Sequence, residues 1–101
     1  MILREKDKER IIAITKKNIK QSSELWAFGS RVNGEAHDTS DLDLVLVSEN
    51  ETKINIDEFV NLKEALRESN IPIIIQVLDW NRIPESFHEN ILLNYEKITR
   101  I

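Results

Sequence analysis

Residues 28–47 read FGSRVNGEAHDTSDLDLVLV, and this stretch decides the fold. Gly29 and Ser30 follow a short apolar segment, and ten residues later Asp41 and Asp43 open a run of apolar, largely branched residues. A Gly-Ser pair at a turn from strand to helix offers backbone N–H groups and a hydroxyl to phosphate. Paired carboxylates can hold the Mg²⁺ that accompanies phosphate. The stretch therefore predicts a nucleoside triphosphate site.

The spacing within each pair suits this chemistry. Residues two apart on a strand are separated by roughly 6.5–7 Å, so the side chains of Asp41 and Asp43 can converge on ions about 3.5–4 Å apart. Gly29 has no Cβ and lets phosphate approach the backbone, while Ser30 offers its hydroxyl and Arg31 adds a charge-assisted contact. We therefore expect Asp41 and Asp43 to bind metal and to act in catalysis, and all five residues to bind nucleotide.

Each half of this motif has a simpler explanation when it is taken alone. A Gly-Ser pair is usually only a turn, and an Asp-x-Asp is often a solvated strand start or a pair of caps. The two halves together, one closing a strand and the other opening the next, favour a phosphate and metal site.

Length and composition narrow the class of protein. With 101 residues, the chain is expected to form a single domain over 1–101, without a second domain for an acceptor. The net charge of −4 argues against nucleic acid as a partner. The absence of cysteine and the 32% of charged residues suit a reducing, cytoplasmic setting, and no segment has the length of a signal peptide or membrane span. Composition leaves self-association open.

Hydrophobic periodicity predicts an alternation of helices and strands. The expected helices cover 4–20, 30–35, 56–69 and 84–94. The expected strands cover 24–28, 41–47 and 73–78, and residues 95–101 are either a short strand or a frayed end.

The second strand has the clearest pattern. Its period of two puts Asp41, Asp43, Val45 and Val47 on one face and the leucines at 42, 44 and 46 on the other. Because both faces are apolar beyond the aspartates, we expect an interior strand.

Two helices carry recognisable start signals. Asn55 and Glu58 have the spacing of a capping box for the third helix. Pro84 opens the last helix, where Phe87, Ile91 and Leu92 are expected to be buried.

The sequence resembles the DNA polymerase β-like nucleotidyltransferase superfamily in the order of its motifs. That order is an apolar strand, Gly-Ser, about ten residues, and Asp-x-Asp in a second strand. In length and layout the chain is similar to the minimal nucleotidyltransferases (MNT), small antitoxins encoded beside a helical HEPN (higher eukaryotes and prokaryotes nucleotide-binding) toxin. The resemblance spans nearly the whole chain, including Asp79-Trp80. It implies an α/β fold with a small mixed sheet and flanking helices, and ATP with two Mg²⁺ ions at the strand ends. It also implies transfer of AMP, in some members to a tyrosine of the partner toxin, whose RNase activity is thereby silenced.

The chain departs from this family at two positions. Asn33 stands where similar members have a second arginine, which removes a cation from the phosphate environment. Gln76 stands at the position of the third carboxylate, in Ile-Gln-Val-Leu-Asp-Trp at 75–80. A glutamine amide can ligate metal, but it carries no charge and cannot accept a proton from an attacking hydroxyl. Asp79 lies three residues further on and could replace the missing carboxylate only if the strand ended before it. Strand alternation otherwise places Asp79 on the opposite face, so we expect it to cap the following turn.

Other polar and aromatic residues have simpler interpretations. His37 is expected to be solvated in the loop between the halves of the motif, and His88 to lie on the surface of the last helix. Trp26 belongs to the predicted core. For Trp80, packing beneath the site and exposure to a partner both remain open.

Three functions are compatible with these residues. The first is Mg²⁺-dependent transfer of AMP from ATP to a hydroxyl of a partner protein, with the chain as the antitoxin of a HEPN toxin. The second is an antitoxin with the same fold that neutralises its partner by binding, because Gln76 and Asn33 weaken the site. The third, a small-molecule or tRNA-tailing nucleotidyltransferase, is disfavoured by the short chain and its acidic charge.

Overall fold

The computed structural model describes residues 3–34 and 41–101, with Asn33 described only by its backbone. These residues form four helices and four strands. In chain order they are α1 (Glu5–Asn18), β1 (Ser23–Phe28), α2 (Ser30–Asn33), β2 (Leu42–Ser48), α3 (Ile56–Glu68), β3 (Ile75–Asp79), α4 (Glu85–Leu93) and β4 (Tyr95–Arg100). The side chain of Asn33, the end of the helix predicted over 30–35, and His37 lie outside the described residues.

The strands form one mixed sheet in the order β3-β2-β1-β4. β1 is antiparallel to β2 and β4, whereas β2 and β3 are parallel. Parallel neighbours need a crossover connection, and α3 supplies it. The predicted mixed sheet with flanking helices is confirmed, and the C-terminal segment is a strand rather than a frayed end.

One face of the sheet packs against α1 and α3. Leu42, Leu44 and Leu46 are fully buried there, together with Ile11 of α1 and Leu62 of α3. The alternation predicted for the second strand is therefore confirmed. Burial of this leucine face determines which way the intervening aspartate points, because the side chains of a strand alternate between its two faces.

The other face carries a smaller cluster around Trp26, Val45 and Ile91. Trp80 meets Trp26 edge to face at 5.4 Å between ring centroids, and it stacks on His88 at 3.7 Å. The Nε2 atom of His88 is also 2.7 Å from the Trp80 carbonyl oxygen. Trp26 is a core residue as predicted, and Trp80 packs beneath α4. The plain surface position predicted for His88 is wrong.

Helix α4 buries fewer apolar side chains than its sequence predicts. Ile91 is fully buried, but Phe87 is 41% exposed and Leu92 is 49% exposed. His88 and Ile91, three residues apart, form the narrow stripe that meets the sheet, so Phe87 and Leu92 lie on either side of it. Among residues 3–34 and 41–101, none of the helices has the length and apolar character needed to span a membrane.

The capping box of α3 forms only in part. The Asn55 side chain accepts a hydrogen bond from the Glu58 N–H at 3.1 Å. The Glu58 carboxylate accepts instead from the backbone N–H of Lys20 at 2.7 Å. Glu58 therefore ties the start of α3 to the segment that follows α1.

Asp79 at the end of β3 is a buried structural residue. Its carboxylate accepts hydrogen bonds from the N–H of Ile54 at 2.8 Å and from the N–H of Asn81 at 3.0 Å. It also forms an ion pair with Arg82, with 3.0 Å between Nε and Oδ2. The expected turn cap is confirmed, and the same carboxylate joins the turn to the segment before α3.

Replacement of this carboxylate should destabilise the fold. Asp79→Ala would leave the buried Ile54 N–H without an acceptor and Arg82 without its ion-pair partner, which we expect to cost about 3 kcal/mol. Urea denaturation at pH 7 measures this change. Asp57→Ala, at an exposed position in the first turn of α3, is the control and should cost less than about 1 kcal/mol. Equal losses in the two variants would contradict the structural role of Asp79.

Candidate nucleotide and metal site

The two halves of the motif meet because β1 and β2 are antiparallel neighbours. Phe28 pairs with Asp43, so Gly29 leaves the sheet directly beside that aspartate. A Cβ built on Gly29 would lie 2.8 Å from Oδ2 of Asp43. The backbone of Gly29 has φ +86° and ψ −155°, a region used almost only by glycine. Glycine is therefore needed here both for its backbone conformation and for the space it leaves to the carboxylate.

One residue from each strand forms a row across the sheet. Gln76, Asp43, Phe28 and Tyr95 are paired in succession from β3 to β4. Residues paired directly across neighbouring strands project to the same face, with the strands about 4.8 Å apart. The structure thus brings Gln76 next to the aspartate pair, as its place in the family pattern predicts.

Gln76 and Asp41 are in direct contact. The Nε2 atom of Gln76 donates a hydrogen bond to Oδ2 of Asp41 at 3.1 Å. Because the Gln76 amide is neutral, the group formed by Asp41, Asp43 and Gln76 has only two carboxylates. An aspartate at position 76 would add a third negative charge. Rotation of the amide would turn its oxygen toward an ion at Asp41, since the two ends of the group have nearly the same shape.

The electrostatics of Asp43 favour a bound cation. Burial raises the pKa of the Asp43 carboxyl above its ordinary value of 3.8, and the nearby negative charge of Asp41 raises this pKa further. A divalent cation between the two carboxylates would offset both the desolvation of Asp43 and its repulsion by Asp41, because the positive charge stabilises the ionised carboxyl groups. The donor set fits magnesium, which prefers carboxylate oxygens.

Ser30 and Arg31 lie at the start of α2, directly after the glycine. The helix begins at Ser30, and the N–H of Val32 donates to the Gly29 carbonyl at 3.1 Å. The Arg31 side chain is buried, with 4% exposure. The Arg31 guanidinium places a positive charge on this short helix.

Some features of the site follow only from the pairing of strands. Asp79 pairs with Leu46, at the opposite end of β3 from Gln76 and on the other face, so it does not join the site. Sequence reasoning also missed that Phe28 and Tyr95 share the row of Asp43. Among residues 3–34 and 41–101, no three His, Cys, Asp or Glu residues come together in a way that could hold a metal ion. Two carboxylates alone leave most positions around an ion for other oxygens.

Comparison with known proteins agrees with this geometry. Residues 9–100 match the model of the family described as "Polymerase beta, Nucleotidyltransferase". The chain is 45% identical over 65 residues to a probable protein adenylyltransferase, MntA, of Haemophilus influenzae. That alignment covers 64% of this chain and 55% of the relative, so the chain spans only about half the length of the curated relative it matches.

Solved structures of low sequence identity share the fold. A toxin-antitoxin with AMP-PNP superposes with a TM-score of 0.75 at 17% identity, covering 92% of this chain and 73% of that one. A complex of a tri-AMPylated Shewanella oneidensis HEPN toxin with its MNT antitoxin gives a TM-score of 0.72 at 13% identity, covering 96% and 72%. A putative nucleotidyltransferase of Sulfolobus solfataricus gives 0.54 at 23% identity, covering 90% and 74%.

The resemblance seen in the Gly-Ser and Asp-x-Asp motif is therefore confirmed over nearly the whole sequence. The family match spans β1, β2 and β3, the strands that position Gly29, Asp43 and Gln76. The chain belongs to the polymerase β nucleotidyltransferase family.

Proposed function

We propose that residues 1–101 form one nucleotidyltransferase domain that transfers AMP from ATP to a hydroxyl of a partner protein, and that the partner is a HEPN-type toxin. The observation that carries this proposal is the close approach of the Asp43 carboxylate to Gly29. It brings a candidate metal ligand and a candidate phosphate-binding backbone into one site. The name of the Haemophilus influenzae relative and the AMPylated HEPN toxin in the Shewanella oneidensis complex support the same reaction.

In this proposal each motif residue has a defined role. The backbone at Gly29 and the hydroxyl of Ser30 receive the phosphates, and the charge of Arg31 favours their binding. Asp41 and Asp43 would hold Mg²⁺, two ions being expected, with phosphate oxygens of ATP as further ligands. Bound magnesium neutralises negative charge on the transferring group and on pyrophosphate.

The reaction forms one bond and breaks one bond. The acceptor oxygen bonds to the α-phosphorus of ATP, the bond from that phosphorus to pyrophosphate breaks, and pyrophosphate leaves. The hydroxyl proton passes to water, and the amide of Gln76 takes no part in removing it. A phenol, with a pKa of about 10, releases its proton far more readily than an aliphatic alcohol. The site therefore favours tyrosine as the acceptor.

A second function has specific support in the same residue. Gln76 carries no charge and is hydrogen-bonded to Asp41, so this set of side chains would offer a bound metal ion fewer negative charges than a set with a third carboxylate. If this loss is severe, the chain neutralises its partner by forming a complex and transfers no AMP. The two functions are separated by measuring transfer directly.

Transfer of labelled AMP from ATP to the neighbour-encoded HEPN-type partner tests the enzymatic proposal. The native chain with Mg²⁺ should label the partner, and Asp43→Asn should lower the rate roughly 100-fold or more because a metal ligand is lost. Gln76→Asp should raise the rate about tenfold or more, since it restores a charged ligand and proton acceptor. Activity in Gln76→Asp with none in the native chain would overturn the proposal in favour of the binding function.

Two glycine substitutions separate backbone strain from the contact with Asp43. Gly29 and Gly34 both have positive φ, +86° and +83°, but no described atom lies within 4 Å of a Cβ built at Gly34. Each alanine variant should lose about 1–3 kcal/mol of stability from strain. Only Gly29→Ala should also displace the Asp43 carboxylate and reduce AMP transfer, by roughly 100-fold. Similar transfer rates in the two folded variants would show that the close approach at Gly29 is not needed for activity.

The raised pKa of Asp43 predicts a dependence of stability on pH. The unfolded chain releases this proton at a lower pH than the folded chain, so stability falls as the pH rises from the ordinary value of 3.8 through the higher folded pKa. Without divalent cations, Asp43→Asn should therefore melt about 2–5 °C above the native chain at pH 7. The difference should shrink as the pH falls toward and below 3.8, because the Asp43 carboxyl is then increasingly protonated and, like asparagine, uncharged.

Thermal melts in EDTA from pH 3.5 to 7 measure this difference. Asp57→Asn, at an exposed site, serves as the control and should show no such trend. An Asp43→Asn variant that melts at or below the native temperature at pH 7 would contradict the electrostatic strain at Asp43. Addition of Mg²⁺ and ATP should reverse the order, because only the native chain retains both metal ligands.

A further inference from the structure

Strand β3 is an edge of the sheet with an open outer side. The N–H of Leu42 donates to the Ile74 carbonyl, and the N–H of Trp80 donates to the Leu46 carbonyl. In a parallel ladder alternate residues face the neighbouring strand, so the even-numbered residues of β3 face β2. The backbone N–H groups of Ile75 and Val77 therefore point away from the sheet. Within residues 3–34 and 41–101, no strand pairs with this side.

A groove runs along this open edge between β3 and α3. Its cavity volume is about 590 Å³. The wall from α3 includes Val60, Lys63, Glu64 and Arg67, and the other wall is 73–78. Ile74 is 66% exposed and Val60 is 44% exposed, so the groove combines unpaired backbone groups with accessible apolar surface. An extended peptide segment uses both when it adds to a sheet edge.

The charges on the α3 wall select the kind of segment. Lys63 and Arg67, one helical turn apart, face the groove with a single acid, Glu64. Neither cation forms an ion pair with any acid in the described part of the chain. The wall is therefore positive on a chain whose net charge is −4, and it complements an acidic segment.

The groove leads to the candidate active site through Gln76. This residue lines the groove and also donates its hydrogen bond to Asp41. On a strand added to β3, the residue opposite Gln76 would project to the same face as Asp43, two strand spacings or about 10 Å away. A tyrosine side chain that leans across Gln76 would shorten that separation and bring its hydroxyl toward the aspartates.

We propose that an extended, acidic segment of the acceptor protein binds in this groove as a fifth strand on β3, with its tyrosine opposite Gln76. This inference rests on the proposed AMP transfer and specifies how the acceptor reaches the site. The phenolic oxygen bonds to the α-phosphorus of ATP, pyrophosphate leaves, and the phenolic proton passes to water.

Residue-resolved amide hydrogen exchange tests the docking without any turnover. The full chain, without ATP, is titrated with the neighbour-encoded HEPN-type partner and followed by NMR. Exchange of the Ile75 and Val77 amides should slow at least about tenfold, since they would gain hydrogen bonds. The amides of Gln76 and Leu78, which already face β2, are the internal control and should change little.

Two other results would overturn the docking mode. Protection confined to α4 or to other surfaces would place the partner elsewhere. Protection of Ile75 and Val77 without partner, rising with protein concentration, would show that a second copy of the chain occupies the edge.

A charge-reversal pair tests the acidic character of the segment. Lys63→Glu combined with Arg67→Glu should raise the KM for the partner about tenfold or more and leave the KM for ATP unchanged. Lys6→Glu combined with Arg10→Glu is the matched control, with the same spacing on exposed positions of α1, and should leave both constants unchanged. Equal effects of the two pairs, or a loss confined to ATP, would overturn the inference.

The two proposals fail in different ways. Absence of AMP transfer by the native chain would refute the proposed reaction, while protection at Ile75 and Val77 would still establish the docking edge. Normal transfer without that protection would refute only the added strand.

Discussion

The close approach of the Asp43 carboxylate to the backbone of Gly29 is the constraint on which the site depends. It requires that β1 and β2 pair with Phe28 opposite Asp43. A slip of one residue would turn Asp43 into the leucine core and turn a leucine toward the site. Burial of Leu42, Leu44 and Leu46 prevents this slip, because hydrophobic packing against α1 and α3 stabilises one register. The core thus positions the carboxylate of the candidate site.

Gln76 and Asp79, near the two ends of β3, have different roles in the structure. At one end Gln76 is exposed and contacts Asp41, beside the turn at Gly29. At the other end Asp79 is buried and holds the backbone before α3 and after β3 through its hydrogen bonds. The two side chains are three residues apart, so strand alternation sends them to opposite faces. One short strand therefore carries both the buried Asp79 carboxylate, which stabilises the fold, and the exposed Gln76 amide beside the candidate site.

Sequence reasoning succeeded where a local pattern reports directly on structure. The alternation in β2, the helical periodicity of α3 and the glycine at a tight turn each depend on a few neighbouring residues, and each was found as predicted. It failed at α4, where Phe87 and Leu92 were expected to be buried and His88 to be at the surface. Apolar periodicity does not reveal how wide a helical stripe the sheet can cover, and the stacking of His88 on Trp80 joins residues whose contact depends on the fold.

By itself, the sequence determined the motif, its family and the residue types available for phosphate and metal. The resemblance to the family also implies that Gln76 stands at the position of a carboxylate. Only the tertiary structure decided that Gln76 contacts Asp41 and that Asp79 binds backbone N–H groups and Arg82. It also decided that the outer edge of β3 forms a groove with α3. The physical reason is that residue chemistry and periodicity are local, whereas strand order, register and the exposure of a sheet edge arise from contacts between segments far apart in the chain.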